Sequence, residues 1–131
     1  MSAIHKHRLS ATGAVLMGIS VAMGAFGAHT LKDLIEVSEL QTFKTGVLYA
    51  LIHGLVLWVW PIFKGSFTPR QQKNTWRLFL MGYVLFCGSL WAMSIGRALD
   101  MDWSFLGMIT PIGGLSWVIA WFWTASLLIK K

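Results

Sequence analysis

Leu9-Ser10-Ala11-Thr12-Gly13-Ala14-Val15-Leu16-Met17-Gly18-Ile19-Ser20-Val21-Ala22-Met23-Gly24-Ala25-Phe26-Gly27-Ala28 carries no charge along its whole length. An α-helix rises about 1.5 Å per residue, so this run covers roughly 30 Å, the thickness of a bilayer's hydrocarbon core. It is read as a first membrane span, about residues 9–28, and the small residues Gly24-Ala25-Phe26-Gly27-Ala28 lead out of it to His29. A basic start (Lys6, Arg8) followed by an apolar run also resembles a secretory signal peptide, but the run is longer than the usual apolar region of one. The segment is therefore expected to stay in the protein.

The rest of the chain supports a membrane setting. Hydrophobic residues make up 56% of the 131 and charged residues only 12%. A soluble domain of this size could not bury so much apolar surface, so lipid has to cover the remainder. The net charge of +6 would suit nucleic acid only if the basic residues gathered on one folded face, and here they sit at the ends of apolar runs. No nucleic-acid partner is expected. The one cysteine, Cys87, cannot form an intramolecular disulfide, and zinc sites built from several cysteines are excluded by the same count.

Three further apolar runs follow, at about residues 46–63, 78–96 and 105–129, which makes the whole of 1–131 a single transmembrane domain. Between the first two lies a polar stretch, Thr30 to Thr45. Its Leu34, Val37, Leu40 and Phe43 recur at helical spacing among charged residues, and a short amphipathic helix lying in the interface is expected. The fold class is all-α: an integral membrane four-helix bundle with this short helix between spans one and two. A basic loop with Lys64, Gly65, Ser66, Pro69 and Arg70 joins spans two and three. A loop with Arg97, Asp100 and Asp102 joins spans three and four.

Four spans put both termini and the middle loop on one side. Lys6, Arg8, Lys64, Arg70, Lys73, Arg77, Lys130 and Lys131 fall there, against Lys32, Lys44 and Arg97 on the other. Such a bias in short loops places the richer side in the cytoplasm. The expected location is the bacterial cytoplasmic (inner) membrane, multi-pass, with both termini cytoplasmic. Trp58, Trp60, Trp76, Trp121 and Trp123 near the inner ends and Trp103 at the outer edge read as interfacial anchors.

Lipid tails give helices no hydrophobic reason to associate, so close backbone approach through small residues marks packing faces. The candidates are Gly24 and Gly27 on span one, Gly46, Ala50 and Gly54 on span two, Gly88 and Ala92 on span three, and Gly113 and Gly114 on span four. Pro111 withdraws one backbone hydrogen bond. It predicts either a kink or discontinuous start in span four, or a proline simply tolerated in the first turns.

Polar side chains inside the spans are the only candidates for a site. His53, with Tyr49 one turn away, Ser89 and Thr110 are placed at comparable depth in the outer half of the bundle, with His29 at the outer end of span one. The plainer reading is a hydrogen-bonded network holding the helices in register; the sharper is a ligand site lined by His29, Tyr49, His53, Ser89 and Thr110. Haem held by His29 and His53 ranks last, since no haem-attachment cysteine motif is present. Met17, Met23, Met81, Met93 and Met108 are too scattered for a copper site and read as core or lipid contacts. No metal and no cofactor is expected. The spans hold no Asp or Glu, no Ser/His/Asp order and no phosphate loop, so no enzymatic activity is expected either.

Four stretches in order resemble the YgdD family of small bacterial inner-membrane proteins of unknown function. They are Gly24-Ala25-Phe26-Gly27-Ala28-His29 with Leu31-Lys32, then Tyr49 to His53, Leu85-Phe86-Cys87-Gly88-Ser89-Leu90-Trp91, and Thr110-Pro111-Ile112-Gly113-Gly114. The resemblance covers nearly the whole chain and implies a four-span bundle, with no activity, substrate or cofactor attached. Val47-Leu48-Tyr49 departs from a Gln-Tyr pair frequent in that family, and Cys87 and Trp91 stand where Ser and Tyr are common. The expected role is a non-enzymatic structural or interaction subunit. Its partners are the lipid bilayer and other membrane proteins or a second copy. The alternative is binding or transport of a small amphiphile or lipid in an outer-half pocket.

Overall fold

A computed structural model describes residues 3–63 and 67–129. Lys64, Gly65, Ser66, Lys130 and Lys131, used above for the loop and the charge bias, lie outside the described residues. Among the described residues five α-helices run in order: α1 (Ala3–His29), α2 (Val37–Val59), α3 (Pro69–Gly82), α4 (Gly88–Ala98) and α5 (Thr110–Ile129). A π-helical turn, Tyr83–Cys87, joins α3 to α4. They form four candidate membrane spans, Ala3–Asp33, Val37–Ile62, Pro69–Ala98 and Ser104–Ile129, each long and apolar enough to cross a bilayer. The spans run alternately up and down. One end of the bundle carries all five acidic residues with Arg97, and the other carries Arg70, Lys73 and Arg77; they are called the acidic and the basic end below.

Helix boundaries follow local chemistry. α2 starts because the Glu39 carboxylate accepts from the Glu36 backbone N–H (3.3 Å), closing the first turn. At the start of α3, Thr68 Oγ1 accepts from Gln71 N–H (3.2 Å) while Gln71 Oε1 accepts from Thr68 N–H (2.9 Å), with Pro69 in the first turn. α4 stops at Asp100, whose φ of 56° is left-handed. Met101 N–H then reaches Gly96 O (2.8 Å) and Asp100 N–H reaches Arg97 O (3.1 Å), the paired bonds of a Schellman ending.

The Glu36–Glu39 start corrects the expected amphipathic helix. A 3-10 turn, Leu31–Asp33, and a short non-helical link at residues 34–36 separate α1 from α2, and the polar stretch from Val37 onward is the first turns of α2 itself. The helix, once capped at Glu36, has nothing to stop it before the apolar run, so charged turns and membrane span share one rod. Phe43 is fully buried on its inner face. Span four begins as a 3-10 turn, Ser104–Met108, before α5 takes over at Thr110. Pro111 therefore falls in the first turn of α5, where its missing N–H interrupts no established ladder.

α1 packs chiefly on α2, α3 on α5, and α4 on α2. The closest approaches to another segment's backbone are at Gly13, where an added Cβ would overlap Leu57 and Trp58, and at Gly113, where it would overlap Phe86. Gly82 lies against the Trp117 indole, Gly27 against the Phe43 ring and Gly46 against Trp91. Gly54 meets Met17, Gly24 meets Val47 and Gly114 meets Phe86, while Ala50 is fully buried. Gly88 differs: a Cβ there meets nothing within 4 Å. Ala92 is partly buried.

Two of the tryptophans read as anchors are inside the bundle. Trp60 and Trp76 are 9% and 6% exposed. The Trp60 indole N–H donates to Gln72 O (2.9 Å) and that of Trp76 to Leu57 O (3.0 Å). Gln72 answers with its amide, which donates to Trp60 O (2.9 Å) and Pro61 O (3.2 Å), carbonyls just past the end of α2. Indole is apolar enough to bury once its single donor has an acceptor, and helix ends supply acceptors. Trp58, Trp121 and Trp123 are exposed, and Trp103 is partly buried.

Candidate functional site

His53 comes from the fifth turn of α2 because that helix starts at Val37, not at Gly46. Sixteen residues of helix, about 24 Å, separate it from the acidic end of α2. It therefore sits past the middle of its span and not in the outer half. His29, at the opposite extreme, is exposed at the last position of α1. The two imidazoles do not meet.

Around His53 the structure builds an aromatic stack. Its ring lies flat on the Trp117 indole, centroids 3.7 Å apart and planes 7° from parallel. Tyr49 is parallel to both, at 6.1 Å from His53 and 5.8 Å from Trp117. Phe79 approaches at 6.2 Å and Phe86 packs on Tyr49 at 5.0 Å. His53 is 5% exposed, whereas Tyr49 is 40% exposed and forms the edge toward lipid.

Both ring nitrogens are engaged. His53 Nδ1 lies 2.9 Å from Tyr49 O, a group that only accepts, so the proton belongs on Nδ1. Nε2 is then a lone pair, and the Trp121 indole N–H donates to it over a long 3.4 Å. A neutral imidazole with this tautomer meets all its hydrogen-bonding capacity inside the bundle, which is what an uncharged apolar surrounding demands.

Ser89 and Thr110 form a separate pair nearer the acidic end. Their hydroxyls are 2.7 Å apart, and Ser89 also donates to Phe86 O (2.9 Å). One contact joins α4 to the first residue of α5. Phe86 is the physical link to the His53 stack, since it packs on Trp117 at 5.0 Å. Of the five candidate ligand-lining residues, Tyr49 and His53 thus share one cluster, Ser89 and Thr110 another, and His29 stands apart from both.

A group that sequence reasoning did not single out sits at the acidic end. Arg97 Nε is 3.3 Å from Glu39 Oε1, and its Nη2 is 3.8 Å from Asp102 Oδ1. Ser94 donates to Glu39 O (3.2 Å), and Glu39, Ser94 and Arg97 with Thr42, Met93 and Ser104 line an open cavity of about 230 Å³. Glu39 and Arg97 lie 58 residues apart, and only the start of α2 at Val37 and the end of α4 at Ala98 bring them together. The Asp102 carboxyl is held below its ordinary range, first by hydrogen bonds from the Ser104 hydroxyl and backbone N–H and then by the Arg97 charge. Among the described residues, no group of three or more His, Cys, Asp or Glu side chains could hold a metal ion.

The family described as "Protein of unknown function (DUF423)" matches residues 23–114, a stretch that holds all five candidate residues. The chain is 36% identical over 120 residues to the UPF0382 membrane protein YwdK of Bacillus subtilis, covering 90% of this chain and 93% of that protein. It is 33% identical over 109 residues to the UPF0382 inner membrane protein YgdD of Escherichia coli, covering 79% and 75%. It is also 32% identical over 103 residues to a UPF0382 membrane protein of Haemophilus influenzae, covering 77% of each. No solved structure matches. With the family match spanning most of its length and four apolar helices in its fold, the chain belongs to the DUF423 family, as a small membrane protein of unknown molecular function.

Proposed function

We propose that this protein is a non-enzymatic subunit of the bacterial inner membrane, acting by helix–helix association with another membrane protein or a second copy. The observation that carries this reading is the outward face of α1. Ala11, Ala14, Gly18, Ala22 and Ala25 recur at helical spacing on the side turned away from α2, all exposed, and a Cβ at Gly18 meets nothing within 4 Å. Small residues on a lipid-exposed face let a second helix approach closely, where van der Waals packing can drive association. The candidate polar side chains inside the bundle are meanwhile engaged within the protein, His53 by Tyr49 O and Trp121, and Ser89 by Thr110. That supports a scaffold role for them.

The same reading puts the basic end and both termini in the cytoplasm, on the strength of the charge bias. A fluorescent protein fused after Lys131 should light up in cells, and an alkaline phosphatase fused there should be inactive. To test association, native membranes are crosslinked and the protein recovered for mass spectrometry beside a Gly18→Leu variant. Loss of a discrete crosslinked species in the variant supports the reading. Its persistence, or its absence from the unmodified protein, refutes it.

A further inference from the structure

On the basic end, α3 and α5 leave a groove between them that faces lipid. It has a volume of about 400 Å³ and is lined by Asn74, Arg77, Leu78, Met81, Ile119 and Trp123. Its chemistry changes along its length. Arg70, Asn74, Arg77 and Met81 follow one another at helical spacing on α3, so polar groups give way to apolar ones over about three turns. Trp123, from α5, lies one turn beyond Ile119 toward the basic end and is 46% exposed.

Among the described residues no carboxylate answers this positive charge. The five acidic residues are Asp33, Glu36, Glu39, Asp100 and Asp102, all at the other end. Among the described residues, the ion pairs involve only Arg97, Glu39 and Asp102, so Arg70, Lys73 and Arg77 have none. A guanidinium at the mouth of a groove with apolar walls calls for a ligand that carries an anion at one end and hydrocarbon at the other. Basic recesses between membrane helices bind anionic lipid head groups for this reason.

We propose that the α3–α5 groove is a binding site for one anionic glycerophospholipid of the leaflet at the basic end. Arg77 and Asn74 hold the phosphate, with planar N–H donors that match its oxygens. The Trp123 indole N–H, which has no acceptor among the described residues, lies at head-group level, where tryptophan is favoured. Leu78, Met81 and Ile119 receive the first part of an acyl chain. The site is separate from the outward face of α1, so it stands or falls independently of the association proposed above.

The test uses the full chain in mild detergent, offered equal amounts of dioleoyl phosphatidylglycerol and dioleoyl phosphatidylcholine, with adducts read by native mass spectrometry. Phosphatidylglycerol adducts should exceed phosphatidylcholine adducts about fivefold. Arg77→Gln should bring the ratio to near parity with helix content unchanged, and Ile119→Trp, which fills the groove without touching its charge, should remove the adducts. Lys6→Gln with Arg8→Gln, at the same end but on α1, should leave the ratio as it was. Parity in the unmodified protein overturns the proposal. So does a ratio that survives Arg77→Gln, adducts that survive Ile119→Trp, or an equal loss in the α1 variant, which would mark diffuse surface charge.

Discussion

The hydroxyls of Ser20 on α1 and Tyr83 in the π-helical turn lie 2.8 Å apart and converge on a single carbonyl, Leu16 O, at 2.7 and 2.8 Å. Three contacts share only two hydrogens, so at any moment one hydroxyl donates to the other or the carbonyl accepts from both. This redundancy predicts non-additive losses. Tyr83→Phe and Ser20→Ala should each lower stability by about 0.5–1.5 kcal/mol, since either surviving hydroxyl can still bond Leu16 O. Unfolding in detergent should show the double variant losing appreciably more or less than the two singles summed, and strict additivity would separate the three groups.

For His53, shape and hydrogen bonding predict different outcomes. His53→Phe keeps a flat ring against Trp117 and forfeits two bonds, one of them long, so it should cost about 1 kcal/mol or less. His53→Ala empties the space beside Trp117 and Phe79 and should cost about 2–4 kcal/mol. Chemical denaturation compares them. If His53→Phe folds normally yet abolishes a cellular phenotype, the imidazole has a role beyond packing.

Glycine substitutions in span three and span four should diverge in sign. Gly113→Ala drives a methyl into the Phe86 backbone and should destabilise by about 2–3 kcal/mol. Gly88→Ala meets open space and should be neutral or stabilising by up to about 1 kcal/mol through helix propensity. Melting temperatures measured in one detergent decide between them.

Asp102 gives a pH dependence confined to acid. Its folded carboxyl titrates below the usual 3.8 because Ser104 and Arg97 favour the anion. That contribution is complete above the unfolded value and is lost as pH falls through the lower folded one. A side-chain carbon titration by NMR should place the midpoint below 3.8, and Ser104→Ala should move it back up. No change in the loop is expected between neutral pH and pH 5.

The four spans were legible because absence of charge over about 20 residues is a one-dimensional property. Their starting points were less so. The reciprocal pair Glu36 and Glu39 was visible in the sequence but read as part of a surface helix, and that misplacement of nine residues moved His53 into the wrong half of the bundle. Trp60 and Trp76 were assigned to the interface because indole prefers it, while their burial depends on Gln72 and Leu57 offering acceptors from other elements. Tyr49, His53, Ser89 and Thr110 lie on the helices of the candidate spans. Their division into a His53–Trp117 stack and a Ser89–Thr110 pair depends on rotation about each helix axis, which periodicity alone does not fix.

The π-helical turn Tyr83–Cys87 supplies that rotation in span three. One surplus residue advances everything after it by roughly 100° around the rod. Upstream, Phe79 and Gly82 address α5; downstream, Trp91 and Ser94 address α2. Trimming a single residue from this turn would keep every amino acid on either side and the greasy length needed to cross the bilayer. It would swing Ser89, Trp91 and Ser94 out toward the acyl chains, unfastening two neighbours at once.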